Sequence, residues 1–107
     1  MTNRRRPTYY NDPQLAEAVA RRASNLRRLR KVHKISAPRL AQRVGMYHSY
    51  FYEVENGRLA LATLRMLDQI ARAFGMTSSA LLAELDAPLD PQAEAILKQE
   101  AIACLSV

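Results

Sequence analysis

Cysteine and glycine are scarce in this chain, and each scarcity excludes a class of protein. The single cysteine, Cys104, excludes an internal disulfide framework and a zinc site built from several cysteines, and it is typical of a reducing compartment. Three glycines and five prolines are too few for a many-turned β-sandwich. No apolar run approaches the roughly 18 residues of a membrane span, and no apolar stretch follows the basic start as in a signal peptide. We therefore expect a cytoplasmic protein with no membrane partner.

Positive charge is in excess, and it is unevenly placed. The chain has 107 residues, a length typical of one domain, and carries 16 Lys and Arg against 10 Asp and Glu. Residues 1–62 hold thirteen of the cations and four of the acids, whereas residues 63–107 hold three cations and six acids. This division predicts that one half faces a polyanion, with nucleic acid favoured over a membrane surface or an acidic protein.

The spacing of apolar residues and caps predicts helices throughout and no strand. Asp12-Pro13 is typical of a helix start, and the first helix is expected to reach about Val32, with a possible break at Ser24-Asn25. Short helices are expected from Ser36 to Val44 and from His48 to Glu55. A fourth follows Thr63 and a fifth follows Thr77 or Ser78. Asp90-Pro91 begins a sixth, and residues 1–11 form a disordered basic arm.

The second and third helices are separated by Gly45-Met46-Tyr47 alone, which is the spacing of a helix-turn-helix. Residues 24–85 closely resemble the Cro/repressor-type helix-turn-helix family of bacterial and phage regulators. The resemblance is carried by Leu40-Ala41, Gly45, Phe51, Glu55-Asn56-Gly57 and Ile70-Ala71-Arg72-Ala73-Phe74-Gly75. It implies a five-helix, all-α domain that binds double-stranded DNA as a homodimer. The chain would add a flexible basic arm and a C-terminal helix to that domain.

The third helix would be the recognition helix in this resemblance. With Phe51 and Val54 turned inward and Tyr50 expected to pack, the opposite face presents His48, Ser49, Tyr52 and Glu53, which the resemblance implies contact bases. His48 and Ser49 can donate or accept at base edges, and Glu53 can accept from cytosine N4. Tyr52 can reach a thymine methyl or a phosphate.

Contacts to the DNA backbone are predicted at the ends of the second and third helices, from Arg39, Arg43, Asn56 and Arg58. The chain departs from the family at two positions nearby. Tyr47 stands where a Ser or Thr usually caps the recognition helix, so the start of that helix is open to a shift. Ala37 stands where a Gln often contacts a phosphate.

Three further features have expected roles. Arg30 and Glu55 occupy positions that often pair in the family, and we interpret them as a scaffold ion pair. Arg4, Arg5 and Arg6 could enter the minor groove, with a solvated tail as the alternative. Residues 86–107, a linker and an acidic helix, are expected to dimerise, with packing on residues 12–85 as the alternative.

Enzyme functions find no support in the sequence. The chain has no glycine-rich phosphate loop, no catalytic set of Ser, His and Asp, and no neighbouring metal ligands, so we predict no catalytic residue, metal or cofactor. The first alternative function is a protein-interaction module on the same fold, such as an antitoxin or antirepressor that binds a protein partner through its clustered aromatic residues or its acidic C-terminal helix. A second is a basic membrane-surface helix at residues 13–34, which lacks the bulky aromatics of such helices.

Overall fold

Helices account for all the regular secondary structure in the described part of the chain. The structure, a computed structural model, describes residues 12–60 and 63–106, and from residue 100 onward it describes the backbone alone. The predicted basic arm and the side chain of Cys104 therefore lie outside the described residues. Within those ranges no strand is present, which confirms the all-α class. The helices are α1 (Pro13–Val32), α2 (Ala37–Arg43), α3 (His48–Glu55), α4 (Leu64–Ala73), α5 (Ser78–Leu85) and α6 (Pro91–Ser106).

Polar caps explain where most of these helices begin. An oxygen of the preceding side chain accepts a hydrogen bond from a first-turn N–H group and satisfies a donor that has no partner inside the helix. The caps are Asp12 for α1, Ser36 for α2, Thr63 for α4 and Thr77 for α5, and Asp90 plays this part before α6. Helix α3 is the exception, because Tyr47 precedes it and makes no such bond.

Helix α1 is continuous through Ser24-Asn25, where the sequence left a break open. Asn25 is buried in the helix interior, and its Nδ2 donates to the carbonyl oxygens of Leu85 at 2.8 Å and Ala87 at 3.1 Å. The polar side chain therefore serves a tertiary contact, because it satisfies carbonyls at the end of α5 that would otherwise have no partner.

One apolar cluster joins α1 to α5. Its fully buried members come from all five helices, and each such side chain stabilises the fold by about 1.5–3 kcal/mol. They are Leu26, Leu40, Phe51, Ile70, Leu81 and Leu85. Because this cluster holds α2 and α3 from one side only, their other faces are left for solvent or a partner.

Helix α6 packs mainly against α1 of the same chain. Leu97 is buried there, and the Arg21 guanidinium donates to both Glu94 carboxylate oxygens at 3.0 and 2.9 Å. That hydrogen bonding, with a further bond from the Leu89 N–H group, lowers the pKa of Glu94 to about 2. Packing on residues 12–85, the alternative weighed for this helix, thus occurs through α1, while Ile96 faces outward.

Candidate nucleic-acid interface

The turn between α2 and α3 sets their mutual orientation. Gly45 adopts φ 71°, in the left-handed region that a side chain disfavours, and the N–H group of Met46 donates to the Ala41 carbonyl at 2.9 Å. On the far side of the turn, Phe51 and Val54 are buried in the core cluster and fix the rotation of α3 about its own axis.

The face of α3 opposite Phe51 is open to solvent. His48, Ser49 and Tyr52 are exposed there, and Glu53 is half-buried. Tyr50 is also exposed, contrary to its expected packing, because it is rotated about 100° from Phe51 around the helix. Helix α3 begins at His48 without a shift, and Tyr47 before it is 85% exposed. The four residues predicted to read bases therefore share one accessible surface with two further tyrosines.

An ion pair occupies the end of this surface. Nη1 of Arg58 lies 2.9 Å from Oε1 of Glu53, and both side chains are partly exposed. Sequence reasoning assigned the two residues to a base contact and a phosphate contact separately and missed that they meet. Arg58 is thus the cationic partner that the Glu53 carboxylate needs in order to lie near phosphates.

The four residues predicted to contact the DNA backbone differ in their surroundings. Arg39 and Arg43 are exposed and pair with no acid among the described side chains. They border an open groove on α2 together with Gln42, a residue that the sequence did not single out. The side chain of Asn56 instead donates to the Tyr52 carbonyl at 2.7 Å and closes the end of α3, and Arg58 pairs with Glu53.

A bidentate ion pair holds α1 to the end of α3. Arg30 Nε lies 2.6 Å from Glu55 Oε2, and Nη2 lies 3.2 Å from Oε1. Nη1 of the same guanidinium donates to the Ile35 carbonyl at 3.0 Å, in the segment that leads into α2. Glu55 is 5% exposed, so its carboxylate depends on Arg30 for compensation. One side chain thus relates α1, α2 and α3.

The acids of the C-terminal half neutralise a defined subset of the cations on α1. Arg21 pairs with Glu94, Arg22 with Asp86 and Arg28 with Glu84. The hydrogen bonds from Arg22 lower the pKa of Asp86, so this pair persists into the acid range. The uneven charge of the sequence is therefore cancelled on the α5–α6 side of α1 and remains on α2 and at the end of α1.

The described residues offer neither a metal site nor a membrane-spanning helix. No group of three or more His, Cys, Asp and Glu side chains in residues 12–60 and 63–99 is placed to hold a metal ion. None of the helices in the described ranges combines the length and the apolar character needed to cross a membrane.

Comparison with known proteins agrees with this geometry. No curated protein and no solved structure matches the chain significantly. The family model described as a helix-turn-helix domain matches residues 23–85, from the middle of α1 to the end of α5 and more than half of the chain. The match contains the α2–turn–α3 unit and the Arg30–Glu55 pair, and it ends before α6. The chain therefore belongs to the helix-turn-helix domain family of the Cro/repressor kind, whose domains bind DNA.

Proposed function

We propose that the protein is a sequence-specific regulator of transcription that binds double-stranded DNA as a homodimer, with α3 of each copy in a major groove. The observation that carries this proposal is a helix-turn-helix in which α3 has an exposed polar face and the neighbouring α2 exposes Arg39 and Arg43 without acid partners among the described side chains. A B-DNA major groove about 12 Å wide admits one α-helix with its side chains.

Base reading would fall to the exposed face of α3. His48 and Ser49 stand at the start of the helix, the end that enters the groove most deeply in helix-turn-helix proteins. Tyr52 follows one turn later and suits a thymine methyl or a phosphate. Glu53 would accept from cytosine N4, and such a contact discriminates against a wrong base by about 1–3 kcal/mol.

Phosphate contacts would come first from Arg39 and Arg43, which need break no ion pair with an acid among the described side chains in order to bind a phosphate. Asn56 and Arg58 would join them at the other end of α3, where each already has an intramolecular partner. Each phosphate neutralised by a cation steepens the slope of log K against log salt by about 0.9.

Dimerisation would use the outward side of α6. Leu97 is committed to the contact with α1, whereas Ile96 is 53% exposed on the neighbouring face. A two-fold dimer would place its half-sites about 34 Å apart, one turn of the duplex. Ile96→Glu should give a folded monomer in sedimentation whose melting temperature no longer depends on protein concentration, and Ile96→Val is the matched control. A full-sized dimer of Ile96→Glu would exclude this interface.

The first experiment is selection of duplex DNA from a random pool at physiological salt, with the same preparation sized by sedimentation. The expected result is an enriched motif with two-fold symmetry, bound by a dimer. Glu53→Ala should then relax the preference at one base pair of each half-site. If well-folded protein enriches no motif, the proposed function is wrong.

The exposed tyrosines favour one second candidate, a protein-interaction module on the same fold. Tyr47, Tyr50 and Tyr52 present aromatic surface of the kind that is enriched at protein interfaces. In that case the joint variant Tyr47→Ser/Tyr50→Ser would lose a protein partner, and Arg39→Gln/Arg43→Gln would not.

A further inference from the structure

A group of cations at the end of α1 takes no part in the helix-turn-helix surface described above. Arg27 is half-buried, Lys31 and Lys34 are exposed, and none pairs with an acid among the described side chains. Besides Arg30, three arginines on the same helix are paired with acids of α5, its C-cap and α6. The division shows that the acids of this chain cancel charge on one side of α1 and leave it on another.

The side of α1 that carries Arg27 and Lys31 adjoins the end of the recognition helix, where Arg30 is paired with Glu55. A Cβ atom added to Gly57, two residues after α3, would lie 3.5 Å from Ala20 Cα and 3.8 Å from Ala23 Cβ. Arg27 follows Ala23 by four residues and Lys31 follows Arg27 by four, so the three share one helix face. The row of residues that contacts the segment after α3 therefore continues into Arg27 and Lys31.

Lys34 occupies a backbone conformation in which a side chain is costly. Its φ is 56°, directly after the C-terminal end of α1, and it is the sole non-glycine residue with positive φ in residues 12–60 and 63–106. At the equivalent positions, α2 and α3 are followed by Gly45 and Gly57, with φ of 71° and 75°. A cation thus stands at a position where glycine would be relaxed, and such local strain points to a contact made by its side chain.

We propose that Arg27, Lys31 and Lys34 form a second phosphate-binding strip, which contacts the DNA backbone beyond the end of α3 and lengthens the footprint of each copy. The strip rests on the proposed function, because α3 in the groove brings the duplex to this end of α1. The occupant is the sugar–phosphate backbone of duplex DNA, since the charges are uncompensated and flexible and lie outside the helix that enters the groove.

The test compares variants of the full chain that lose the same amount of charge. Arg27→Gln/Lys31→Gln lowers the net charge of the strip by two. Lys98→Glu lowers the net charge of α6 by the same amount, about 200° around the helix from Ile96. Affinity for the selected duplex is measured at several salt concentrations, with Arg39→Gln/Arg43→Gln as the reference for the main surface. Urea denaturation and sedimentation verify folding and oligomeric state.

The expected result is a salt slope shallower by about 3.6 for Arg27→Gln/Lys31→Gln, from two lost phosphate contacts in each copy of the dimer, with the slope of Lys98→Glu unchanged. Hydroxyl-radical footprints of the strip variant should also lose protection at the outer ends of the site. An unchanged slope and footprint would overturn the strip and leave the proposed function standing, even if the variant were less stable through lost interaction with the α1 dipole. If the wild-type chain binds no duplex DNA, both the strip and the proposed function are wrong. If Arg27→Gln/Lys31→Gln weakens binding to acidic vesicles or acidic proteins and leaves binding to duplex DNA unchanged, the strip is wrong.

Discussion

Removal of the Arg30 guanidinium tests whether the ion pair between α1 and α3 organises the DNA-binding surface. In Arg30→Met the aliphatic part of the side chain is kept, but Glu55 loses both hydrogen bonds while it remains 5% exposed. A buried charge left without its partner costs about 3–5 kcal/mol. We take about 3 kcal/mol, because the Arg30 side chain is 16% exposed and water can reach part of the site.

Such a loss is large against the stability of a domain of this size, about 5–15 kcal/mol. With an m value of about 1.5 kcal/mol per M, the urea midpoint of Arg30→Met should fall by about 2 M. Glu55→Gln should cost less, because the guanidinium that remains keeps its bond to the Ile35 carbonyl and some contact with water. The two midpoints are measured side by side by circular dichroism.

The double variant Arg30→Met/Glu55→Leu separates the ion pair from the packing around it. Since no charge is then left buried, the double variant should recover most of the stability lost by Arg30→Met. Binding to the selected duplex should return with it, because the core still holds α3. A loss of less than about 1 kcal/mol in Arg30→Met would refute the reasoning, since it would show that the Glu55 carboxylate is well compensated without Arg30.

Three further predictions concern the fold. Asn25→Ala should lower the free energy of unfolding by about 1–3 kcal/mol, because two carbonyls near the end of α5 lose their donor, and Asn25→Asp should cost more in urea denaturation at pH 7, since a carboxylate cannot donate. Because the pKa of Glu94 falls from 4.5 to about 2 on folding, the stabilisation that this carboxylate contributes is complete above pH 4.5 and declines towards pH 2. Arg21→Gln should reduce this pH dependence of the melting temperature, and a pH profile identical to that of the wild type would contradict the role of the pair. Lys34→Gly should raise the free energy of unfolding by about 0.5 kcal/mol, because relief of positive φ exceeds the entropy that glycine adds to the unfolded chain; a lower urea midpoint would show that φ is not strained.

The sequence predicts this fold well because the residues that begin and end its helices act on the backbone locally. Ser36, Thr63 and Gly45 act on the backbone a few residues away, and the boundaries that they imply are those of the structure. Asn25 shows where this reasoning ends. A polar residue in an apolar helix face resembles a break until its acceptors are known, and those lie 60 and 62 residues further along the chain.

In the candidate site, too, features set by local sequence could be predicted, and features set by distant contacts could not. The accessible face of α3 was predicted from helical periodicity, because Phe51 and Val54 mark the buried side. The pairing of Glu53 with Arg58 was not, since it depends on how the chain turns back after the end of α3. The separation of paired and unpaired cations on α1 required the positions of α5 and α6, which no local pattern contains.

The attachment of α6 has a consequence for the order in which this protein opens. The contacts of α6 with α1 join residues as far apart as Arg21 and Glu94, whereas α1–α5 share a continuous core that does not include Leu97. Of the α6 side chains that the structure describes, in residues 91–99, Leu97 alone is buried. Elements with few buried side chains open below the global free energy of unfolding. Backbone amides of α6 should therefore exchange with deuterium earlier than those of α1, and in acid, where Glu94 gains a proton, the gap should widen. The helix could leave and return many times while the recognition helix stays folded.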